Sequence, residues 1–391
     1  MHIKTSRKSG DRLVSSHDLV DEYVAKELSR RQMVQGVMLA TVGTWLGAAG
    51  LAGCSSSGTE TGAPTPTPAG DGGNVNPAAK GHLVGMGYND GDRVAALKAA
   101  LAETIGLGMI KAGQSVYLRV NSNSGDPYPY STAPETLVAV GGMLRDLGVT
   151  DIRIGDRSFW GDSGTAANLK RNGIAGAATQ LGTTAQVFDE SADWMTLPAE
   201  MVPNWTGTVR LPTAVTTADH MIILSCVKTH FIAEFTMSLK ISLGLVHPGD
   251  RSRAGNLKVH DTKVLHKQSA QINKAFTPSL VIQDGYAAVS SGGPTVSDRP
   301  PAAPAGWKAE TANPKVFIVS TDRIAADVTG IAVLQTVSPA FEQIMKTKPF
   351  ENPQIKDAIA AGGLGISDPS AYDLSGPTVP NLEEIRAKVT G

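Results

Sequence analysis

Apolar residues recur along this chain in two rhythms, and the rhythms alternate. Short runs such as "VYLRV", "DIRI", "IILSCV", "LVI" and "VFIVS" are β-branched and apolar at nearly every position, which predicts strands buried on both faces. Between them lie stretches with apolar residues at helical spacing. "DGDRVAALKAALAETIG" has Asp at its start and Gly beyond its end. "TAPETLVAVGGMLRDLG" has Pro134 in its first turn and Gly148 at its end. "TAANLKRNGIAGAATQLG" predicts a helix broken near Gly173, "KVLHKQSAQINKAF" and "RIAADVTGIAVLQTV" predict two more, and two short helices close the chain. "FIAEFTMSLKISLG" fits a helix or an irregular segment. Strand and helix alternating in this way predicts an α/β fold: a single globular domain with a mostly parallel sheet covered by helices on both faces.

Composition changes this picture at one end only. The 391 residues carry a net charge of -1, with 41% hydrophobic and 18% charged residues, an ordinary globular balance. Lysine and arginine are scattered, so no nucleic-acid partner is expected. Residues 54–81 are rich in Ser, Thr, Pro and Gly with almost no large apolar side chain, the composition of a disordered tether. The globular domain is expected over 82–391. The Pro/Gly stretch 290–306 reads as a long loop within it.

Residues 1–53 read as a targeting segment. Arg30 and Arg31 precede a modestly apolar Gly/Ala-rich stretch that ends in Leu51-Ala52-Gly53-Cys54. Paired arginines before such a stretch resemble a twin-arginine export signal, and the closing tetrapeptide resembles a bacterial lipobox. Cys54 would then carry the lipid, membrane lipid would be a partner, and the protein would lie in the exported cell envelope. An uncleaved anchor is the alternative, since roughly 20 apolar residues can span a bilayer. The remaining cysteine, Cys226, sits inside an apolar run and reads as a small buried hydrophobe. No C-x-x-C pair exists, so no iron–sulfur cluster is expected; the cofactor, if any, is unknown.

Candidate chemistry lies where the strands end. In an open parallel sheet the carboxyl ends share one edge, and ligands bind in the crevice there. The strand tails would bring Arg119, Asn121, Asp156, Lys228, Thr229, His230, Asp284 and Asp322 together, with Lys240, Arg251, Arg253, His260 and Asp327 nearby. Turn formation alone explains Asp and Asn at such places. It does not explain Lys228 and His230, neither of which is a turn former. An ammonium after an apolar run is costly to bury without a counter-charge or an anionic ligand. Lys228, His230 and His260 are therefore the candidate catalytic residues, either histidine serving as proton carrier. Arg119, Asn121, Thr229, Thr236, Lys240 and Asp284 are candidate ligand contacts, and Asp156 and Asp322 candidate metal ligands. The expected partner is an anionic small molecule, bound by an enzyme or by a protein that captures it without turnover. A purely structural surface role asks for no such residues.

Several segments together resemble the family catalogued as domain of unknown function 362. They are "VYLRVN", the Thr132-x-Pro134 helix start, Lys228-Thr229-His230, and Thr236 with Lys240 before Gly244. His260, Asp284-Gly285, Gly293-Pro294, and Asp322 with Asp327 follow. The resemblance implies that these positions carry the family's function, and it brings no established reaction. Two positions depart from the pattern: Arg119-Val120 stands for an early lysine–proline, and Ile241 for an asparagine. The cysteine-rich ferredoxin-like segment of many relatives is missing.

Overall fold

Alternating side chains on the central strands point into two different cores, and that alternation organises the molecule. The computed structural model describes residues 80–158, 164–189, 193–231, 233–251, 256, 262–297, 309–338 and 347–391. Cys54, Arg30, Arg31, Arg253 and His260 lie outside the described residues.

The strands are β1 (Val84–Tyr88), β2 (Ser115–Val120), β3 (Asp151–Asp156), β4 (Ala185–Val187), β7 (His220–His230), β9 (Leu280–Ser291), β11 (Val316–Ser320) and β12 (Leu374–Ser375). They form one sheet in the order β12-β1-β11-β9-β7-β2-β3-β4. Two short strands join it off this path: β8 (Glu234–Thr236) pairs with β7, and β10 (Glu310–Ala312) with β9. A separate two-stranded sheet joins β5 (Trp194–Thr196) and β6 (Arg210–Pro212). The main helices are α1 (Arg93–Glu103), α2 (Pro134–Asp146), α3 (Gly164–Arg171), α4 (Ile174–Gln180), α5 (Thr262–Asn273), α6 (Arg323–Val337), α7 (Pro353–Ala361) and α8 (Leu382–Thr390). Among the described residues no helix is long and apolar enough to cross a membrane.

On one face Val116, Leu118, Ile154, Ile222, Leu224, Ile282 and Phe317 pack beneath α1, α2 and α4. On the other, Tyr117, Met221, Ile223 and Val281 pack against α5 and the turn Lys240–Leu245. Val227, Val316 and Ile318 pack there against α6 and α7. Each strand feeds both cores, so its sequence reads as continuously apolar rather than alternating. This is the mixed α/β domain with a mostly parallel sheet that the pattern predicts.

Two features set the position of the site. The chain runs outward from β2 to β3 and β4 through parallel neighbours, then returns to add β7 and β9 on the other side of β2. The order thus reverses between β2 and β7, the switch point where an open sheet leaves a crevice at its carboxyl edge. The second feature corrects an expectation. β11 runs antiparallel to both β1 and β9, with Ser320 opposite Val281 near the start of β9. Its end, and with it Asp322, therefore lies at the opposite edge from Asp156 and Lys228, and the strand tails do not all converge. Asp322 instead caps α6, accepting from the Ala325 amide at 2.8 Å and from Ile366 N at 2.7 Å. Replacing Asp322 by Ala should cost about 1–2 kcal/mol in thermal or denaturant unfolding, as the loss of a helix cap does, and should leave anion binding at the other edge unchanged.

Candidate functional site

β7 does not stop at Val227. It continues through Lys228, Thr229 and His230 and folds back into β8, with Lys228 opposite Thr236 and His230 opposite Glu234. On its other side Lys228 lies beside Val289 of β9 after a register shift. Lys228 is wholly buried, and its ammonium donates to the Tyr130 carbonyl at 2.6 Å. His230 is buried in the hairpin, where its Nδ1 accepts from the Ala233 amide at 3.3 Å. A neutral ring that accepts at Nδ1 carries its proton on Nε2. Burial, then Lys240, Lys228 and His266 in that order, hold the His230 pKa well below the usual imidazole value.

Lys240 arrives from the following turn. Asp327 of α6 fixes that turn by accepting from Ser238 Oγ (2.6 Å) and from the amides of Ser238 (2.9 Å) and Leu239 (3.0 Å). Gln283 of β9 donates to the same carboxylate at 2.6 Å. Burial pushes Asp327 up to about 6 against the pull of these donors. His266 completes the group from α5. It is buried, neither ring nitrogen has a hydrogen-bond partner, and burial and Lys240 push it down to about 4. Buried Lys228, His230 and His266 and half-buried Lys240 thus stand within electrostatic reach of one another about the end of β7.

The remaining expected residues divide into fasteners and open groups. Arg119 is fully buried; Nη1 pairs with Asp156 at 2.7 Å and Nη2 donates to the Ile241 carbonyl at 2.6 Å. Asp156 also accepts from Ser122 N and Arg157 N, each at 2.6 Å. Gly244 closes over this pair, and a Cβ there would lie 2.4 Å from Arg119 Nη2 and 2.7 Å from Asp156. Arg251 is buried close by. Burial and the neighbouring Arg157 push it down to about 9, with Asp156 acting in the opposite sense. Arg119 and Asp156 therefore lock β2, β3 and the Lys240 turn together. Asp156 and Asp322 stand at opposite edges of the sheet and cannot share an ion, which corrects the metal pairing. Among the described residues, no three His, Cys, Asp or Glu side chains are grouped so as to hold a metal.

Asp284 is likewise saturated rather than poised for a ligand. It lies within β9, not at its end. It accepts from Arg93 (2.6 Å), Thr136 (2.5 Å), Tyr128 (2.6 Å) and the Tyr286 amide (3.1 Å). Arg93 lies between the rings of Tyr128 and Tyr286, at 4.3 and 4.8 Å from their centroids. A carboxylate has about four acceptor positions, and all are occupied. Thr229 Oγ1 lies 3.0 Å from the Gly292 carbonyl and 3.2 Å from that of Val289. Those contacts hold the Gly292–Gly293 loop, where Gly293 has φ 69° and a Cβ would lie 2.6 Å from the Thr229 carbonyl. Asn121 and Thr236 differ: both are buried, and among the described residues Thr236 Oγ1 has no hydrogen-bond partner. Asn121 lies beside the Cys226 thiol, which burial pushes up to about 12 and so keeps inert.

Arg93 and Tyr128 do not stand out in the sequence, and His266, on its amphipathic helix, reads there as structural. A signal for His266 existed: His266, Ser269 and Asn273 recur at i, i+3 and i+7 on α5, and all three are buried. A polar stripe buried at helical spacing marks a face that meets something other than hydrocarbon.

The fold defines a mixed α/β protein whose sheet has a switch point between β2 and β7, with Lys228, His230, Lys240 and His266 grouped about the end of β7. The model of the family described as domain of unknown function (DUF362) matches residues 116–332, more than half of the chain, and the chain belongs to that family. No curated protein matches it. The matched span includes Lys228, His230, Lys240, His266 and Asp327.

The buried imidazoles give stability a pH dependence of definite sign. His266 shifts from 6.5 to about 4 on folding, so the unfolded chain takes up the proton first. Its contribution is present above pH 6.5 and is lost as pH falls toward 4. Asp327, raised from 3.8 to about 6, contributes the opposite slope, so the comparison requires a variant. Melting curves of His266→Leu should show a smaller acid loss than wild type, by up to about 3 kcal/mol over that interval.

Proposed function

We propose that this protein is an enzyme acting on an anionic small molecule held at the end of β7, with Lys228 and Lys240 supplying positive charge. The observation that carries the reading is the grouping of two lysines around buried, uncharged His230 and His266. Two ammonium groups beside uncharged imidazoles favour an anion as the ligand. His230 serves as the proton carrier once the anion is bound. Burial first, and then the two lysines, lower its pKa; a bound anion offsets the lysines and moves it back toward the range where general acid–base catalysis is efficient. A protein that captures the anion without turnover would use the same lysines but would have no need of a coupled imidazole. His260, outside the described residues, remains a candidate second proton carrier on sequence grounds.

The same proposal places the protein in the exported cell envelope. Arg30-Arg31 and the Leu51-Ala52-Gly53-Cys54 tetrapeptide support export and lipid attachment at Cys54.

Isothermal titration with a panel of oxyanions and carboxylates tests the binding reading. Lys240→Ala and the volume-conserving Lys228→Met should each weaken retention about tenfold or more, with cooperative melting preserved. Unchanged affinity in both variants would overturn the assignment. For the anchor, Cys54→Ala should move the protein from the membrane pellet to the soluble fraction of its cell envelope. If the variant still sediments with membrane, lipid attachment at that residue is wrong.

A further inference from the structure

The anion reading gives no hydrogen-bonding role to His266 or Thr236. His266 is 3% exposed and Thr236 6%, and among the described residues neither the imidazole nitrogens nor the Thr236 hydroxyl meet a partner. They approach from different elements, α5 and β8, and Thr236 lies directly across the hairpin from Lys228. Buried polar atoms of this kind are uncommon, and each asks for an occupant. Resting on the anion reading, the geometry points to a narrower ligand class: we infer that the site takes an oxyanion that still carries its own O–H group, with hydrogen phosphate the simplest member, and that His266 accepts that proton in a hydrogen bond.

The argument turns on what a neutral imidazole presents. It offers one N–H donor and one bare nitrogen lone pair. Buried, and with Lys240 nearby, His266 stays uncharged, so the lone pair persists. A lone pair facing a fully ionised oxyanion is repulsive, because both partners are acceptors. Facing an oxyanion with a hydroxyl it becomes an acceptor for that hydroxyl, while the ring N–H and the lysines serve the charged oxygens. The Thr236 hydroxyl can donate or accept and adapts to either. A site built only for charge would place a third cation at position 266. An imidazole there discriminates by proton content, since a missing donor leaves a buried acceptor unpaired.

Three anions separate these possibilities at mildly alkaline pH. Inorganic phosphate keeps a proton there, sulfate has none, and methyl phosphate carries the charge of hydrogen phosphate without its hydroxyl. Titration calorimetry on the purified wild-type protein should find phosphate bound about tenfold more tightly than sulfate or methyl phosphate, the value of one hydrogen bond to a charged group. His266→Leu should abolish the preference, so that phosphate and sulfate bind with equal affinity. His266→Gln, which keeps a donor and an acceptor, should recover part of the preference. The melting temperature of unliganded His266→Leu should equal or exceed that of wild type, because the substitution removes unpaired buried atoms. Equal binding of all three anions, unmoved by His266→Leu, would overturn this inference and leave the anion site standing. Binding of none of them would overturn both. A fall of several degrees in the melting temperature of both variants would assign His266 to the core instead.

Discussion

Taking an ammonium group out of water is the constraint from which the region around β7 follows. Lys228 stands wholly buried after a largely apolar run of a central strand, Met221 to Val227, with the Tyr130 carbonyl as one partner. A dipole at 2.6 Å offsets only part of the charge that water would solvate. Lys240 and two imidazoles are placed within electrostatic reach rather than being kept away. Burial first, and then the neighbouring lysines, keep both imidazoles unprotonated. On the proposed reading, an anionic ligand supplies the balancing charge.

The carboxylates show how that support is built. Asp327 holds the turn that delivers Lys240, Asp156 binds Arg119 beneath the same turn, and Asp284 joins α1, α2, the loop at Tyr128 and β9. Each is buried and each is filled by donors from separate elements. These carboxylates brace the elements around the end of β7.

Much of this was legible in the sequence. The alternation of apolar strands and helical stretches gave the fold class because strands buried on both faces have no polar side to show. Lys228 and His230 stood out because no local backbone rule places them there. What was not legible depended on direction and distance in space. Nothing in "VFIVSTD" says that its strand runs against its neighbours, because an antiparallel strand buried on both faces has the same composition as a parallel one. Asp322 was therefore assigned to the wrong edge. The aspartates at 156 and 284 read as turn formers or ligand groups; their saturation by Arg119, Arg93 and Tyr128 comes from residues 37 to 191 positions away in sequence. The hairpin that carries Thr236 was hidden because β8 is three residues long, too short for any periodicity to register.

The sheet's two rims are also short. β4 ends one side with three residues and β12 the other with two, laid parallel along β1 by the C-terminal segment. A long unpaired margin would expose a row of amide and carbonyl groups that a neighbouring copy could extend strand by strand. Here the exposed backbone ladder is only a few groups long on either flank. Crowded copies therefore find little template for fibrous growth, and a wide, strongly apolar sheet stays confined to its own molecule.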